Sequence, residues 1–159
     1  MDNKFFNDTS LVIKENQSEL TSEKILETLP LQFPKKEDFV GFYCKYNGLI
    51  FPFGAFFYRD SFYEVSSADY NLLDIGAFLD ISESDNSIQN MWKSLKKKER
   101  TKNISKNHLP FALDSSGNMF CIQLKSGIIY YLPHESPLDL TEVAPTFLDF
   151  CKNIRGEMR

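Results

Sequence analysis

At 159 residues the chain is long enough to bury one substantial core and too short for several domains. Hydrophobic residues at 42% and charged residues at 25% are ordinary globular values, which excludes collagen-like and low-complexity chains. The net charge of −4 is unevenly spread: seven acids and no Lys or Arg lie between Asp60 and Asp85, whereas Lys93–Lys106 carries seven bases against Glu99 alone, a local +6 that leaves −10 for the remainder.

The start, from Met1 to Phe6, lacks the basic-then-apolar pattern of a secretory leader, which places the protein in the cytoplasm as an expectation. Residues 1–18 read as an N-terminal arm whose short apolar run, Leu11-Val12-Ile13, is able to add an edge strand; the domain proper is expected over 19–159. Thr21 or Ser22 caps a short helix that carries Ile25, Leu26 and Leu29 inward and stops at Pro30. After Pro34, the spacing of Phe39, Phe42, Tyr43 and Tyr46 predicts a second helix, ended by Asn47-Gly48.

Residues 49–81 read as strands broken by turns: Leu49–Phe51, Ala55–Tyr58, Phe62–Val65 and Ile75–Ile81. The most apolar window, Leu49–Tyr58, is too short to span a membrane and contains Pro52 and Gly54, so no membrane partner is expected. Ser84 opens a helix with Ile88, Met91, Trp92 and Leu95 on its inner stripe, followed by a polar loop at 99–107. From His108 to Glu135 the pattern is strand, turn, strand, turn, strand, with turns at Asp114–Gly117 and Lys125–Gly127. Apolar residues occupy both faces of these strands, as in a sheet covered on both sides. After a link bearing Pro133 and Pro137, Pro145 reads as the first residue of a closing helix with Val143, Phe147, Phe150, Cys151 and Ile154 inside. The fold class is therefore α+β: a single domain, one twisted and mostly antiparallel sheet of about five or six strands, with helices packed against it.

Nothing in the chain is patterned for bond-breaking chemistry. There is no G-x-S-x-G, P-loop, Cys-x-x-Cys or H-E-x-x-H, and the two histidines, His108 and His134, stand at strand ends where surface or turn roles are expected. No metal or cofactor site and no enzymatic activity are expected. Cys44, Cys121 and Cys151 are widely spaced and fall at core positions, as reduced thiols do. Asp114 near His108 reads as a turn residue bonding its own backbone. The triplets at Asn7, Asn16 and Asn103 fit the glycosylation pattern by chance. The bases of 93–106 suggest phosphate binding or a solvated helix end; acidity of the whole chain favours the solvated end, and a nucleic-acid partner is not expected.

The acidic stretch is the candidate site. Asp60, Glu64, Asp69 and Asp74 are interleaved with Phe62, Tyr63 and Tyr70, the aromatic-among-charge composition of interface anchors. A negative surface suits a basic protein partner. The alternative is that Phe62 and Tyr63 pack inside while the acids only solvate strand edges.

Two stretches carry a family resemblance. LPLQFPKKEDFVGFYCKYNG (Leu29–Gly48) is similar to the helix of the SUKH superfamily (Smi/Knr-type domains) that ends in Y-N-G, and LPFALDSSGNMFCIQL with GIIYYLPHE (Leu109–Glu135) is similar to its P-F-A-D strands. The closing APTFLDF (Ala144–Phe150) resembles its last helix, and together these cover roughly two-thirds of the chain. Leu49 stands where a second Gly is usual, Gln123 where Asp is common, and residues 60–107 match no family motif. The resemblance implies a SUKH-like α+β domain. For a bacterial member it implies a cytoplasmic immunity protein that binds and neutralises a cognate polymorphic toxin domain, such as a nuclease, by covering its active cleft. The fungal relatives suggest instead a non-catalytic regulatory or scaffold module for protein interactions; the absence of disordered flanks weighs against it.

Overall fold

Seven strands follow one another in chain order across one curled antiparallel sheet: β1 (Lys14–Glu15), β2 (Leu49–Tyr58), β3 (Leu72–Phe78), β4 (His108–Leu113), β5 (Met119–Gln123), β6 (Ile129–Leu132) and β7 (Thr141–Ala144). The computed structural model describes residues 4–15, 19–135 and 139–159; Pro137 of the expected link and the Asn16 triplet lie outside the described residues. The α+β class is as expected, with more strands than five or six. β1 and β7 make the difference, because strands of two and four residues are too short to show a period of two.

Three further strand boundaries differ from the sequence reading, the first being β3, which runs over Leu72–Phe78 instead of Ile75–Ile81. Leu49–Phe51 and Ala55–Tyr58 are one strand, β2, whose register against β3 slips between Ile50 and Ala55. Gly54, at φ +84°, and Pro52 sit in that bulge. Phe62–Val65 is not a strand: a 3₁₀ turn (Arg59–Ser61) follows β2, and residues up to 71 form a loop around a buried arginine.

Among the described residues five helices complete the fold: α1 (Ser22–Thr28), α2 (Lys36–Lys45), α3 (Ile88–Lys97), α4 (Lys102–Ser105) and α5 (Phe147–Lys152). Thr21, Ser87 and Thr146 cap α1, α3 and α5 by accepting the amide hydrogens of Lys24, Asn90 and Asp149. Ser84 therefore precedes α3, held in a loop where its hydroxyl contacts Ser82 and Asp80, and Pro145 precedes the cap of α5 while Val143 belongs to β7. The segment 99–107 holds α4, a single turn without a periodic signal.

The sheet is covered on both faces over β4–β6, as the two-sided apolar pattern predicts. On one face, Phe57, Phe78, Phe111 and Phe120 meet Phe39 and Phe42 of α2 and Phe147 and Phe150 of α5 in the main core. The rings interlock at tilted and edge-on angles, for example Phe42–Phe78 at 4.8 Å and Phe120–Phe150 at 5.3 Å between centroids. On the other face Leu95, Cys121 and Leu132 form a second, smaller core beneath α3 and α4. Cys121 and Phe120 are neighbours in β5, so their side chains enter different cores. Burial pushes the Cys121 thiol up to about 12, and all three cysteines are free thiols. Phe5 and Phe6, from the segment read as an arm, are buried beside Phe42 and Tyr46.

The resembling motifs turn out to be joints. Tyr43 donates its hydroxyl to Leu79 O at 2.9 Å; Asn47 pairs like a peptide with Ile81, donating to its carbonyl at 3.1 Å and accepting its N–H at 2.8 Å. Gly48 has φ +83°, and a Cβ there would lie 2.9 Å from Asp80 Cβ, so only glycine fits. Asp114 accepts from the amides of Ser116 and Asn118 and from the Tyr131 hydroxyl at 2.6 Å, fastening the β4–β5 turn to β6. Gln123, in the place of the more usual Asp, accepts the Ser126 hydroxyl and so stabilises the next turn.

Candidate functional site

Arg59 organises the acidic stretch. It opens the 3₁₀ turn after β2 with 6% of its surface exposed, and it stands one residue before the block that contains no base. Its Nε donates to Glu142 O of β7 at 3.0 Å, and its Nη1 donates to Asp69 Oδ2 at 3.1 Å and to Tyr70 O at 3.0 Å. Two bonds close the loop's neck, Arg59 N–H to Asn71 O at 2.9 Å and Asp60 N–H to Asn71 Oδ1 at 2.8 Å. The end of β2 is thereby tied across the curl to β7, and the loop lies over that joint.

The candidate residues divide. Asp69 and Tyr70 reach a shared groove. Tyr70 is 46% exposed, with its ring edge-on to Tyr131 at 5.9 Å. Phe62 and Tyr63 are half-buried: Phe62 stacks on Phe57 at 6.3 Å, and Tyr63 lies against Glu142. Burial first, then the Glu142 carboxylate, pushes the Tyr63 hydroxyl up to about 12. Asp74 accepts the Ser115 N–H at 2.9 Å and so braces β3 against the β4–β5 turn. Asp60 receives both arms of the Arg159 guanidinium at 3.0 and 2.7 Å, and those bonds hold its carboxyl below the usual range. Glu64 is exposed and has no ion-pair partner among the described residues.

The groove beside the loop has a volume of about 790 Å³ and is lined by Asp69, Tyr70, Asn118, His134, Glu135 and Asp139, with Ser116, Pro133 and Thr141. Three carboxylates and one imidazole make it acidic, with Tyr70 as its aromatic wall. His134 donates its backbone N–H to Asn118 Oδ1 at 3.0 Å, and its Nδ1 meets the same oxygen at 2.7 Å. Sequence reasoning found Asp69 and Tyr70 but not Asn118, His134, Glu135 or Asp139. Those residues are scattered in polar turns, and only the sheet's curl brings the turn after β6 beside the loop after β2.

His108 corrects an expectation. It is not a surface histidine: it is 7% exposed, its Nδ1 lies 2.9 Å from Ile104 O, its ring is edge-on to Tyr130 at 5.4 Å, and Nε2 has no hydrogen-bond partner. The cause is α4, absent from the sequence reading, which covers the start of β4. Burial pulls its pKa below the ordinary value. Asp114 is engaged by its own turn, and among the described residues no three of His, Cys, Asp and Glu converge as metal ligands. In the basic region, Lys96 sits 3.4 Å over the Trp92 ring, whose N–H donates to Ser105 O at 2.8 Å, so that aromatic is committed to joining α3 and α4. Among the described residues no helix is long and apolar enough to cross a membrane.

Comparison with curated proteins and with solved structures finds no match. The profile of the SMI1 / KNR4 family (SUKH-1) matches residues 18–153. That span runs from the residues before α1 through α5 and contains all three resembling stretches together with the unfamiliar 60–107. The chain belongs to the SMI1 / KNR4 family (SUKH-1).

Proposed function

We propose that this protein is an immunity protein, which binds a cognate toxin domain and neutralises it by covering its active cleft. Family membership supports the role, since bacterial relatives resemble toxin-binding proteins. The observation that carries the mechanism is the groove of about 790 Å³, where Asp69, Glu135 and Asp139 converge around exposed Tyr70. A nuclease-type toxin presents a basic cleft to its nucleic acid. A carboxylate-lined surface attracts that cleft, speeds encounter and excludes wrong partners, while an aromatic wall supplies contact area at low entropic cost. Asp60, Phe62, Tyr63, Glu64, Asp69, Tyr70 and Asp74 remain the proposed partner-binding set. Within it this reading assigns partner contact to Asp69, Tyr70 and Glu64, support of the loop to Phe62 and Tyr63, and to Asp74 the bracing of β3 against the β4–β5 turn. No catalytic step is assigned to any residue.

The test is to look beside this gene for one that encodes a large secreted protein, to co-express the C-terminal domain of that protein with this chain, and to score survival and then co-purification. Survival with a stable complex is the expected result. Persistent toxicity without a complex would remove the immunity assignment for that pair.

A further inference from the structure

At its Ile50 end the outer face of β2–β3 is an apolar sheet surface that no helix among the described residues covers, whereas Arg155 and Arg159 lie over Tyr58 at the other end. Behind β4–β6 the same side of the sheet is covered by α3 and α4, but Ile50 is 51% exposed, Phe53 80% and Leu72 38%. Ile50, Ala77 and Leu113 are consecutive cross-strand partners in one row, and they floor a trough of about 500 Å³ with Glu15 and Asp80 at its rim. Exposed apolar area gathered on one face marks an interaction site rather than ordinary scatter.

The strand edge next to this face is already guarded. β1 pairs with Leu49 and Ile50, and the backbone of Arg155 pairs with Phe56 from the C-terminal segment. Between them the bulge carries Pro52, which has no N–H to offer, and displays Phe53 beside it. A partner therefore docks here through side chains and not by adding a strand.

Charge identifies the partner. Glu15 and Asp80 edge the trough, Glu83 and Asp85 follow in the adjoining exposed loop, and among the described residues Lys14 is the one base lining the trough; Arg155 and Arg159 lie at the far end of the strands, over the Tyr58 ring. A second copy of this chain would bring like charges together, and a phosphate backbone would be repelled. We infer that this face, at the Ile50 trough with exposed Phe53 on the adjoining bulge, docks a basic protein that presents apolar side chains. Resting on the immunity reading, that protein is the toxin domain. The acidic groove then governs how fast the partner arrives and the hairpin face how slowly it leaves.

The experiment measures association and dissociation rates against the toxin domain tested in that co-expression for wild type, Phe53→Ser, Ile50→Lys and Leu26→Ser, each first checked for an unchanged melting temperature. Leu26 is equally apolar and 46% exposed, but on α1. Expected is at least a tenfold faster dissociation for Phe53→Ser and Ile50→Lys, with Leu26→Ser like wild type. Wild-type rates for the two hairpin variants would overturn this inference and leave the immunity reading standing. Equal losses in all three would overturn the assignment to this face. A wild type that does not bind at all would remove the immunity reading, and this inference with it.

Discussion

The loop at 59–71 and the outer face of β2–β3 share a strand pair and most of the acidic block, yet they use their residues differently. In the loop, charge is met by the protein's own arginines: Asp69 pairs with buried Arg59 while still lining the groove, Asp60 is gripped by Arg159 at the surface, and Phe62 stacks on a core ring. On the hairpin face the apolar residues are turned outward: Ile50 and Phe53 meet solvent while Glu15 and Asp80 edge the trough. A run of acids in sequence thus becomes one region whose charge is partly neutralised by the protein's own arginines and another whose apolar floor is left uncovered. Counting acids does not distinguish the two; asking which base reaches each acid does.

Breaking the loop has the largest expected effect. Arg59→Met strands the carbonyls of Glu142 and Tyr70, which the guanidinium satisfies, and unties β2 from β7. A loss of about 3 kcal/mol is expected in urea unfolding. Loss under 1 kcal/mol would mean that the loop does not depend on its arginine. Gly48→Ala, at the other end of β2, forces a side chain onto φ +83° and against Asp80; about 2 kcal/mol is expected, measured in the same way.

The buried His108 sharpens the comparison through pH. The unfolded ring takes up its proton near pH 6.5, whereas the folded ring, held neutral by burial, does so only at lower pH. Stability is therefore complete above about 6.5 and falls as pH drops through that value toward the lower folded pKa. His108→Gln removes this part of the slope between pH 6.5 and 5, and an unchanged slope would show that another group is responsible. The smallest effect belongs to the hairpin face: Phe53→Ser is expected to alter stability by less than about 0.5 kcal/mol, because an exposed ring leaves no cavity behind. A large loss would show that Phe53 belongs to the core and not to a docking surface.

Much of the fold was legible because its signals are local. The i, i+3, i+4, i+7 spacing of Phe39, Phe42, Tyr43 and Tyr46 gave α2, and turn residues at 114–117 and 125–127 gave β4, β5 and β6. The short pieces were not legible. β1, β7 and α4 span two to four residues each, below any period, and exist because the sheet or its neighbours supply partners. Phe62–Val65 looked like a strand because its aromatics cluster, but Arg59 draws the chain into a loop first.

The candidate site was legible in kind and not in extent. Asp69 and Tyr70 stood out from composition; Asn118, His134, Glu135 and Asp139 did not, since nothing local marks a turn residue as part of a groove. By itself the sequence determined an aromatic core, a two-sided central sheet, the helix stop at Asn47-Gly48, the turn at Asp114 and an uneven charge. Each is written in spacing or in a residue type that only one backbone conformation suits. Which acids meet an arginine, which histidine is buried and which face of β2–β3 stays open were decided by the curl of the sheet. Those outcomes join residues as far apart as Arg59 and Glu142, and only folding sets such distances.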